Sequence, residues 1–540
     1  MPDIADKESI VDSANKWTIM FFFAGDNALS PHMISQLKAI KEAGFHFDAN
    51  ILVHFDPNEK GAPTRVFEIN RKRKEKEIAS SIQHSRPRKS QIGDGRDPFV
   101  RNYAEDHISP QELKALPGPV AQKLGDVLAT KKDILTAAEA LELFLDFCRE
   151  RSVTEHYILF VVGHGLVVGN DTFLPDDNPP TGITLKEFAG ILDLFAKGVR
   201  HKGGDFDLLA LHSCSMSAIE VAYELSGTAN FMMGTEGPSF VGSWPYRQLL
   251  KKTFNSIETA NGDSTPVDIS SLLFSLYNLS LHNGTDFLSA GYSSDLCLSK
   301  LQTKEVTKLN EPLSLLSKAL KTAVRRPHER ELILLAHLRS QSYWQESYCD
   351  LFDLCDWLVR LCVESNEEQQ AIRGAGEKVK NLLDQNHSDA LVVYSDYFGP
   401  AYQYSHGLSI YFPWTRPTDD NDDQTIANYK GYAFTTELGD DSWLAFLEEY
   451  WIQTRRPSRE IEDNNKENNI ASRLMDPAFG LATLVFEPNG VMSVLSDGKP
   501  NPLLSDGKPN PIVGETCSCP SIKNYPRDLS ISSRALDAFK

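Results

Sequence analysis

Short apolar runs alternate with stretches of helical periodicity over the first half of the chain. WTIMFFFA at 17–24 and NILVHF at 50–55 each have the length of one strand, and Met33, Leu37 and Ile40 lie at helical spacing between them. The same unit recurs in a helical pattern at about 132–149, the run YILFVVGHG at 157–165, a helical pattern at 185–198, the run DLLALHSCS at 207–215 and the run FMMGTEG at 231–237. Because continuous apolar strands alternate here with helices, the pattern predicts an α/β fold with a mainly parallel sheet between two layers of helices.

Two regions depart from this alternation. An insertion at about 60–125 contains a basic stretch, Arg71 to Lys89, with eight basic and two acidic side chains. The later half, at about 267–452, is mostly helical up to 380, and its apolar runs at 391–397 and 407–412 predict two further strands.

The end of the chain has a different composition. The nine-residue repeat LSDGKPNPL/LSDGKPNPI at 495–512 is rich in turn-forming residues and has no core-forming pattern. We therefore predict three parts: a polar segment at 1–15, one folded unit at 16–455 that includes the insertion, and a mobile low-complexity tail at 456–540.

The charge balance is acidic, with 74 Asp and Glu against 55 Lys and Arg among 540 residues, a formal net charge of −19. This charge argues against a general nucleic-acid binder. The basic stretch has no aromatic residue to stack on bases, so we expect it to be solvated. A protein partner that binds the insertion or the tail stays open.

The spacing of the cysteines and the length of the apolar runs bear on the cellular compartment of the protein. The eight cysteines include no CxxC pair, which disfavours a disulfide framework or a zinc site. The first 16 residues are polar and acidic, unlike a secretory leader, and no apolar run approaches the roughly 18 to 20 residues that span a bilayer. We expect a cytoplasmic protein, and this expectation excludes transporters, channels and receptors.

A histidine and a cysteine follow two of the predicted strands, in Gly163-His164-Gly165 and His212-Ser213-Cys214-Ser215. The carboxyl ends of parallel strands lie at one edge of a sheet, where sites form. A cysteine nucleophile needs a base or an imidazolium within reach, and His164 can serve Cys214 in this way. The alternative is a buried structural cysteine and a histidine in a tight turn.

The residues around this pair fit the same chemistry. Gly165 leaves its backbone N–H uncovered, and with the N–H of Cys214 it can receive the oxyanion of a tetrahedral intermediate. The sequence also predicts a helix directly after Cys214, capped by Ser213 or Ser215, whose N-terminus would favour a thiolate.

Several segments together resemble the clostripain-like cysteine peptidases, relatives of caspases, legumains, gingipains and separases. The resemblance spans about residues 16–452 outside the basic insertion. It rests on WTIMFFFAGDNALS, YILFVVGHG, LLALHSCSMSAIEVAYEL, GTEGPSFVGSWPY, SYCDLFDL and SHGLSIYFPW.

The resemblance implies a caspase–haemoglobinase-like three-layer α/β/α sandwich with helical additions. It also implies that a dyad of His164 and Cys214 hydrolyses peptide bonds of a polypeptide substrate, without a metal or other cofactor. A structural or activating calcium ion stays open, since some relatives bind calcium.

Specificity is where the chain departs from the family. Relatives that cleave after Arg or Lys use an acidic residue two positions before the nucleophile, and here that residue is His212. An imidazole cannot form the bidentate pair with guanidinium that a carboxylate forms, so acidic, polar or apolar preferences are equally open. Glu236, Asp205 or Asp207 can replace the charge, or each can be an ordinary polar residue. Trp244 can line the substrate groove or pack in the core.

Our leading hypothesis is therefore an intracellular, regulated cysteine endopeptidase. The alternative is a catalytically silent member of the same family that acts as a scaffold through its insertion and tail. A nucleotide-binding α/β enzyme is disfavoured because no glycine-rich phosphate loop follows the early strands.

Overall fold

The computed structural model describes most of the predicted folded unit and little of the insertion and tail. The described residues are 16–46, 48–58, 65–69, 100–102, 136–151, 153–165, 172–177, 180–263, 269–283, 293–343, 347–363, 365–417, 422–454, 484–486 and 492–494. The segment 1–15, the basic stretch from Arg71 to Lys89 and the repeats at 495–512 lie outside them. The predictions for these parts remain predictions.

The strands in the described part of the chain form one large sheet and three small ones. They are β1 (Trp17–Phe23), β2 (Ala49–Phe55), β3 (Arg65–Ile69), β4 (Val100–Asn102), β5 (His156–Val162), β6 (Thr172–Asp177), β7 (Pro180–Thr184), β8 (Asp205–His212), β9 (Phe231–Gly234), β10 (Ser294–Lys300), β11 (Ser342–Tyr343), β12 (Tyr348–Asp350), β13 (Val392–Phe398), β14 (Ser409–Tyr411), β15 (Leu484–Phe486) and β16 (Met492–Val494). The large sheet has the order β13-β10-β9-β8-β5-β1-β2-β3-β4. Its central strands, β9, β8, β5, β1 and β2, are parallel, and the outer pairs on each side are antiparallel.

Helices cover both faces of this sheet. Those of the described chain are α1 (Ser30–Ala43), α2 (Ala137–Arg151), α3 (Leu185–His201), α4 (Ile219–Glu224), α5 (Tyr246–Asp263), α6 (Ile269–Asn283), α7 (Thr303–Val306), α8 (Asn310–Ala323), α9 (Pro327–Arg339), α10 (Leu351–Leu361), α11 (Glu367–Leu383), α12 (Asp422–Gly431), α13 (Ala433–Leu438) and α14 (Trp443–Thr454). The predicted helix before β2 and the predicted helical patterns around β5 correspond to α1, α2 and α3.

The alternation of side chains along β1 divides the core into two layers. Phe21 and Phe23 belong to the hydrophobic cluster that contains Met33 of α1, whereas Phe22 belongs to the cluster that contains Phe144 of α2. All of these side chains are buried, and burying one phenylalanine stabilises the fold by about 2 kcal/mol. The expected α/β/α sandwich is thus confirmed, and the apolar run of β1 is continuous because both of its faces are covered.

The later half adds a small sheet and a group of helices to one side of the sandwich. The small sheet has the order β11-β12-β14, and Ala218, just before α4, forms a bridge with Ser409 of β14. The prediction that 267–380 is mostly helical missed β11 and β12 of the small sheet and β10, which lies between β9 and β13 in the large sheet. The sequence of β10, SDLCLSK, mixes polar and apolar residues over only seven positions, so it lacks the continuous apolar run of the central strands.

None of the helices in the described part of the chain is long and apolar enough to cross a membrane.

A buried glutamate joins α4 to the later half and leads to a prediction about stability. Glu220 is fully buried, and its Oε1 accepts hydrogen bonds from the Tyr411 N–H at 2.9 Å and the Tyr429 hydroxyl at 2.7 Å. Burial raises the pKa of Glu220 to about 7. The folded protein therefore keeps a proton that the unfolded chain releases near pH 4.5. The contribution of Glu220 to the free energy of unfolding is highest below that pH, and it falls as the pH rises from 4.5 through 7.

Glu220→Gln cannot ionise, so its free energy of unfolding should rise relative to wild type by about 3 kcal/mol between pH 4 and pH 8. Urea unfolding of both proteins across this range is the measurement. Glu311→Gln, which changes a side chain that is 81% exposed, should follow wild type at every pH. Parallel curves for wild type and Glu220→Gln would contradict the assignment.

Candidate active site

The two residues predicted to form the dyad follow neighbouring parallel strands. Val162, the last residue of β5, lies opposite His212, the last residue of β8, in the pairing register. His164 and Cys214 each come two residues after these ends, so the structure places both at the same edge of the sheet. The Gly163 N–H donates to the His212 carbonyl at 3.4 Å and continues the contact between the two strands. His164 and Cys214 are 7% and 3% exposed.

Gly165 lies directly against the backbone of Cys214. A Cβ atom at position 165 would overlap the Cys214 carbonyl oxygen and lie 2.6 Å from the Cys214 nitrogen. The His164 carbonyl accepts a hydrogen bond from the Leu174 N–H at 3.1 Å, which fixes this turn against β6. The backbone that follows the histidine and the backbone of the cysteine are therefore in van der Waals contact.

The Cys214 thiol meets the backbone of Ser239. The Ser239 N–H donates to Sγ at 3.3 Å, and the thiol donates to the Ser239 carbonyl at 3.6 Å. A backbone N–H directed at sulfur stabilises a thiolate, because hydrogen bonds to the charged form favour it. Sequence reasoning missed Ser239, since only the fold brings it to a residue 25 positions earlier.

The predicted helix immediately after Cys214 is wrong. Helix α4 begins at Ile219, and its N-cap, Ala218, provides no side-chain hydrogen bond, so neither Ser213 nor Ser215 caps it. Ser215 has φ +56°, in the left-handed region, and its N–H donates to the Gly237 carbonyl at 3.1 Å. These contacts hold the residues after Cys214 in a turn and keep the thiol out of the first turn of α4.

His212 is a buried, neutral histidine. Its Nε2 lies 2.7 Å from the Phe240 carbonyl, to which it donates, and its Nδ1 lies 2.7 Å from the Tyr246 hydroxyl, from which it accepts. The ring stacks on Trp244 with a centroid distance of 4.5 Å and an interplanar angle of 4°. Burial lowers the pKa of His212 to about 4. Trp244 is only 2% exposed and belongs to a hydrophobic core cluster.

The three acidic residues considered as replacement charges lie in different places. Glu236 is fully buried, and its Oε2 accepts hydrogen bonds from the Tyr343 hydroxyl at 3.1 Å and the Gly407 N–H at 3.0 Å. Asp205 and Asp207 are at the start of β8, the end opposite Cys214, and Asp207 pairs with His156 at 2.8 Å. Five strand residues cover about 17 Å, so neither aspartate can reach a pocket at Cys214. The interpretation of these two as pocket charges is wrong.

Asp26, Asp56 and Asp176 form a group that sequence reasoning missed. In the described part of the chain, one carboxylate oxygen of each lies within 4.8 Å of the others. Oxygen donors of this kind are those that calcium and magnesium prefer. Asp26 and Asp56 follow β1 and β2, so the sequence feature that could have indicated the group is an aspartate at the carboxyl end of each strand.

A family model described as the clostripain family matches residues 21–451. The chain belongs to the clostripain family. As a member of this peptidase family, it is a cysteine peptidase and therefore a hydrolase.

Solved structures of the same family are similar at low sequence identity. An inactive zymogen C11 protease from Parabacteroides distasonis is 17% identical, with 78% of this chain and 97% of that chain covered and a TM-score of 0.44. A secreted C11 cysteine protease from Bacteroides thetaiotaomicron, in complex with an irreversible peptide inhibitor, is 14% identical, with 79% and 99% covered and a TM-score of 0.46. Comparison of this clostripain-family chain with curated proteins finds no match.

Proposed function

We propose that this peptidase is an endopeptidase that cleaves polypeptides through a dyad of Cys214 and His164. The observation that carries the proposal is the position of the two residues at the carboxyl ends of the paired strands β5 and β8, with the backbone of Gly165 against that of Cys214. The chemistry requires no metal, because the thiolate is the nucleophile and the imidazolium is the acid.

The proposed reaction has two steps. The Cys214 thiolate attacks the peptide carbonyl, a C–S bond forms, and the carbonyl oxygen takes the negative charge near the N–H groups of Gly165 and Cys214. His164 donates its proton to the leaving amine as the C–N bond breaks. Neutral His164 then takes a proton from water, which attacks the thioester and releases the carboxylic acid and the thiolate.

The same geometry supports a proposal about specificity. His212 contributes no charge to the wall beside Cys214, because both ring nitrogens bond to the protein and burial lowers the pKa of His212 to about 4. Glu236 supplies no replacement charge, since burial raises the pKa of its carboxyl well above the ordinary value. We therefore place His212 and Trp244 behind a pocket that accepts an uncharged residue, and we expect no preference for Arg or Lys before the cleaved bond.

The cellular setting belongs to the proposal as well. We place the enzyme in the cytoplasm and under regulation, with the insertion and the tail as segments that bind a protein partner. One of the similar proteins is described as secreted, so cell fractionation is the direct test of the location.

Cleavage-site profiling by mass spectrometry tests the activity. A diverse peptide mixture is incubated with wild type, with Cys214→Ala, and with Cys148→Ala. The Cys148→Ala control removes a different buried thiol, which lies in α2, well before Cys214 in the sequence. We expect internal cleavages in the wild-type and Cys148→Ala digests that are absent with Cys214→Ala. Each digest is run with calcium and with a chelator, because an activating ion stays open. Absence of cleavage under both conditions would favour the silent scaffold.

The same cleavage sites test the specificity proposal. We expect Arg and Lys before the cleaved bond no more often than their share of the peptide mixture. Paired peptides that differ only by Lys or norleucine at that position should be cleaved with a kcat/KM that favours norleucine. A tenfold preference for lysine would contradict the assignment of His212 to an uncharged pocket.

A further inference from the structure

Three carboxyl groups from separate parts of the chain meet in the interior. Glu236 follows β9, Asp295 lies in β10 and Asp350 ends β12, and their exposed fractions are 0%, 2% and 0%. The carboxyl of Glu236 is hydrogen-bonded to that of Asp350, and Asp295 acts on it electrostatically. Carboxylates this close in a buried site cannot all carry a charge, so the cluster holds at least one proton.

Backbone amides surround two of these groups. The carboxylate of Asp295 accepts hydrogen bonds from the N–H of Glu236 at 2.6 Å and the N–H of Gly237 at 3.0 Å. Oε2 of Glu236 accepts from the Tyr343 hydroxyl at 3.1 Å and from the Gly407 N–H at 3.0 Å. The cluster therefore ties the chain after β9 to β10 and to the small sheet of the later half.

The hydrogen bonds of Asp350 assign the proton. Its two oxygens accept from the N–H of Asp353 at 2.7 Å and from the N–H of His406, so Asp350 acts as an acceptor on both oxygens. Glu236 is then the donor in the hydrogen bond between the two carboxyls. Burial, followed by the charges of Asp350 and Asp295, raises the pKa of Glu236 well above its ordinary value. Burial also raises the pKa of Asp295 to about 7.

Titratable groups face this proton from each packed element. Asp295 and Cys297 of β10, Tyr343 of β11 and Asp350 of β12 act on Glu236 directly, whereas Asp353 of α10 and His406 in the loop before β14 act on Asp350.

The segment that the carboxyl cluster holds also contacts Cys214. Residues 235–240, here called the 235–240 segment, include Gly237, whose carbonyl accepts the Ser215 N–H at 3.1 Å. Two residues further on, the Ser239 N–H donates to Sγ of Cys214 at 3.3 Å. One face of this segment is thus held by the carboxyl cluster, and the other contacts the cysteine and its turn.

We propose that Glu236, Asp295 and Asp350 form a proton-holding positioning site that keeps the 235–240 segment, and with it the Ser239 N–H, against Cys214. The proposal rests on the proposed function, since it assigns the three carboxyls a role in the reaction of Cys214. They act through the backbone and do not touch the substrate.

The 235–240 segment loses its position when Glu236 releases its proton. A further negative charge, on Glu236, repels the carboxylates of Asp350 and Asp295, and the Glu236 backbone is attached directly to the Gly237 amide that Asp295 holds. The folded arrangement is therefore favoured while the proton is bound and weakens as the pH rises through the pKa of the cluster. The Ser239 N–H then leaves the sulfur, and kcat falls.

Glu236→Gln tests the proposal because glutamine imitates the protonated carboxyl and cannot ionise. Its amide can donate to Asp350 and still accept from Tyr343 and Gly407. At pH 6 we expect a kcat within threefold of wild type. Between pH 6 and pH 9 the ratio of the variant kcat to the wild-type kcat should rise at least tenfold, with KM changed less than kcat.

Glu220→Gln is the matched control. It also replaces a buried glutamate whose pKa is raised to about 7, but its carboxylate contacts Tyr411 and Tyr429 and not the 235–240 segment. Its kcat ratio to wild type should stay flat with pH. A flat ratio for Glu236→Gln as well, at any level of activity, would overturn the proposal and leave the cluster a purely structural role.

A second readout does not require peptidase activity. Deuterium exchange of a peptide that covers 235–240, corrected for the intrinsic effect of pH, should show protection that wild type loses between pH 6 and pH 9 and that Glu236→Gln keeps. If the wild type cleaves nothing, the proposed function fails, and the exchange result alone decides the positioning site. Equal loss of protection in both proteins would overturn it.

Tyr343→Phe provides a second variant in case Glu236→Gln does not fold. Removing the hydroxyl takes away a donor that favours the ionised form of Glu236, so the pH at which protection and kcat are lost should move upward. A midpoint that stays in place or moves downward would contradict the assignment of the proton to Glu236.

Discussion

Replacing Cys214 with alanine is expected to abolish peptide hydrolysis, and replacing His164 with alanine is expected to lower kcat by about 10³-fold or more. A positioned general acid contributes about 10² to 10⁴ in rate, and His164 is proposed both to form the thiolate and to protonate the leaving amine. The comparison is made by steady-state kinetics on the best peptide from the cleavage-site profile.

The double variant gives the sharper test of a dyad. Residues that act as one unit are strongly non-additive, so any residual rate of Cys214→Ala should not fall further in Cys214→Ala/His164→Ala. Alkylation of Cys214, followed by mass spectrometry, should need a higher pH in His164→Ala than in wild type. His201→Ala, which changes an exposed histidine of α3, is the matched control and should keep wild-type activity and labelling. A His164→Ala enzyme with unchanged kcat would show that another group activates the cysteine.

The sheet could be predicted from the sequence because its central strands have the simplest pattern in the chain. The runs at β1, β5 and β8 are largely apolar since helices cover both faces, and a turn-forming residue, Gly25, Gly163 or Ser213, follows each strand within two positions. Topology then requires His164 and Cys214 to lie at one edge, and the register of β5 against β8 places them there. The proposed dyad could therefore be predicted without knowledge of any side-chain contact.

Features that depend on tertiary contacts could not be predicted in this way. The periodicity of Met216, Ile219 and Tyr223 suggested a helix from Cys214, but hydrogen bonds to the 235–240 segment hold the first residues in a turn. Nothing local to His212 indicates that Phe240 and Tyr246 bind its two nitrogens.

The carboxyl cluster shows the same limit most clearly. Glu236, Asp295 and Asp350 are separated by more than fifty residues each, and in the sequence they look like ordinary polar residues at the ends of strands. Only tertiary contacts bring them together. Strand β9 pairs with β10, β12 pairs with β14, and Gly407 in the loop before β14 donates to Glu236. A buried like-charge group is a property of the packing and not of any local pattern.

The second large effect is expected at Gly165. Its Gly165→Ala variant should lose at least about 100-fold in kcat, because a Cβ at this position overlaps the Cys214 carbonyl oxygen and the two backbones must move apart. A displacement of about 1 Å in a reacting group can cost 10²-fold in rate. Gly190→Ala is the matched control, since a Cβ at this exposed position of α3 meets no atom within 4 Å. It should keep wild-type activity and gain up to about 1 kcal/mol in stability from helix propensity.

Whether kcat or KM changes in Gly165→Ala shows why the variant loses activity. The overlap at Gly165 is with the backbone of the proposed nucleophile, Cys214, and it also separates the two N–H groups proposed to bind the oxyanion. Both effects act on the transition state and not on the bound substrate, so kcat should fall while KM changes little. Thermal unfolding of the variant distinguishes this outcome from misfolding. A folded Gly165→Ala enzyme within threefold of wild-type kcat would show that the turn after His164 is not packed against Cys214, and the proposed oxyanion site would have to be abandoned.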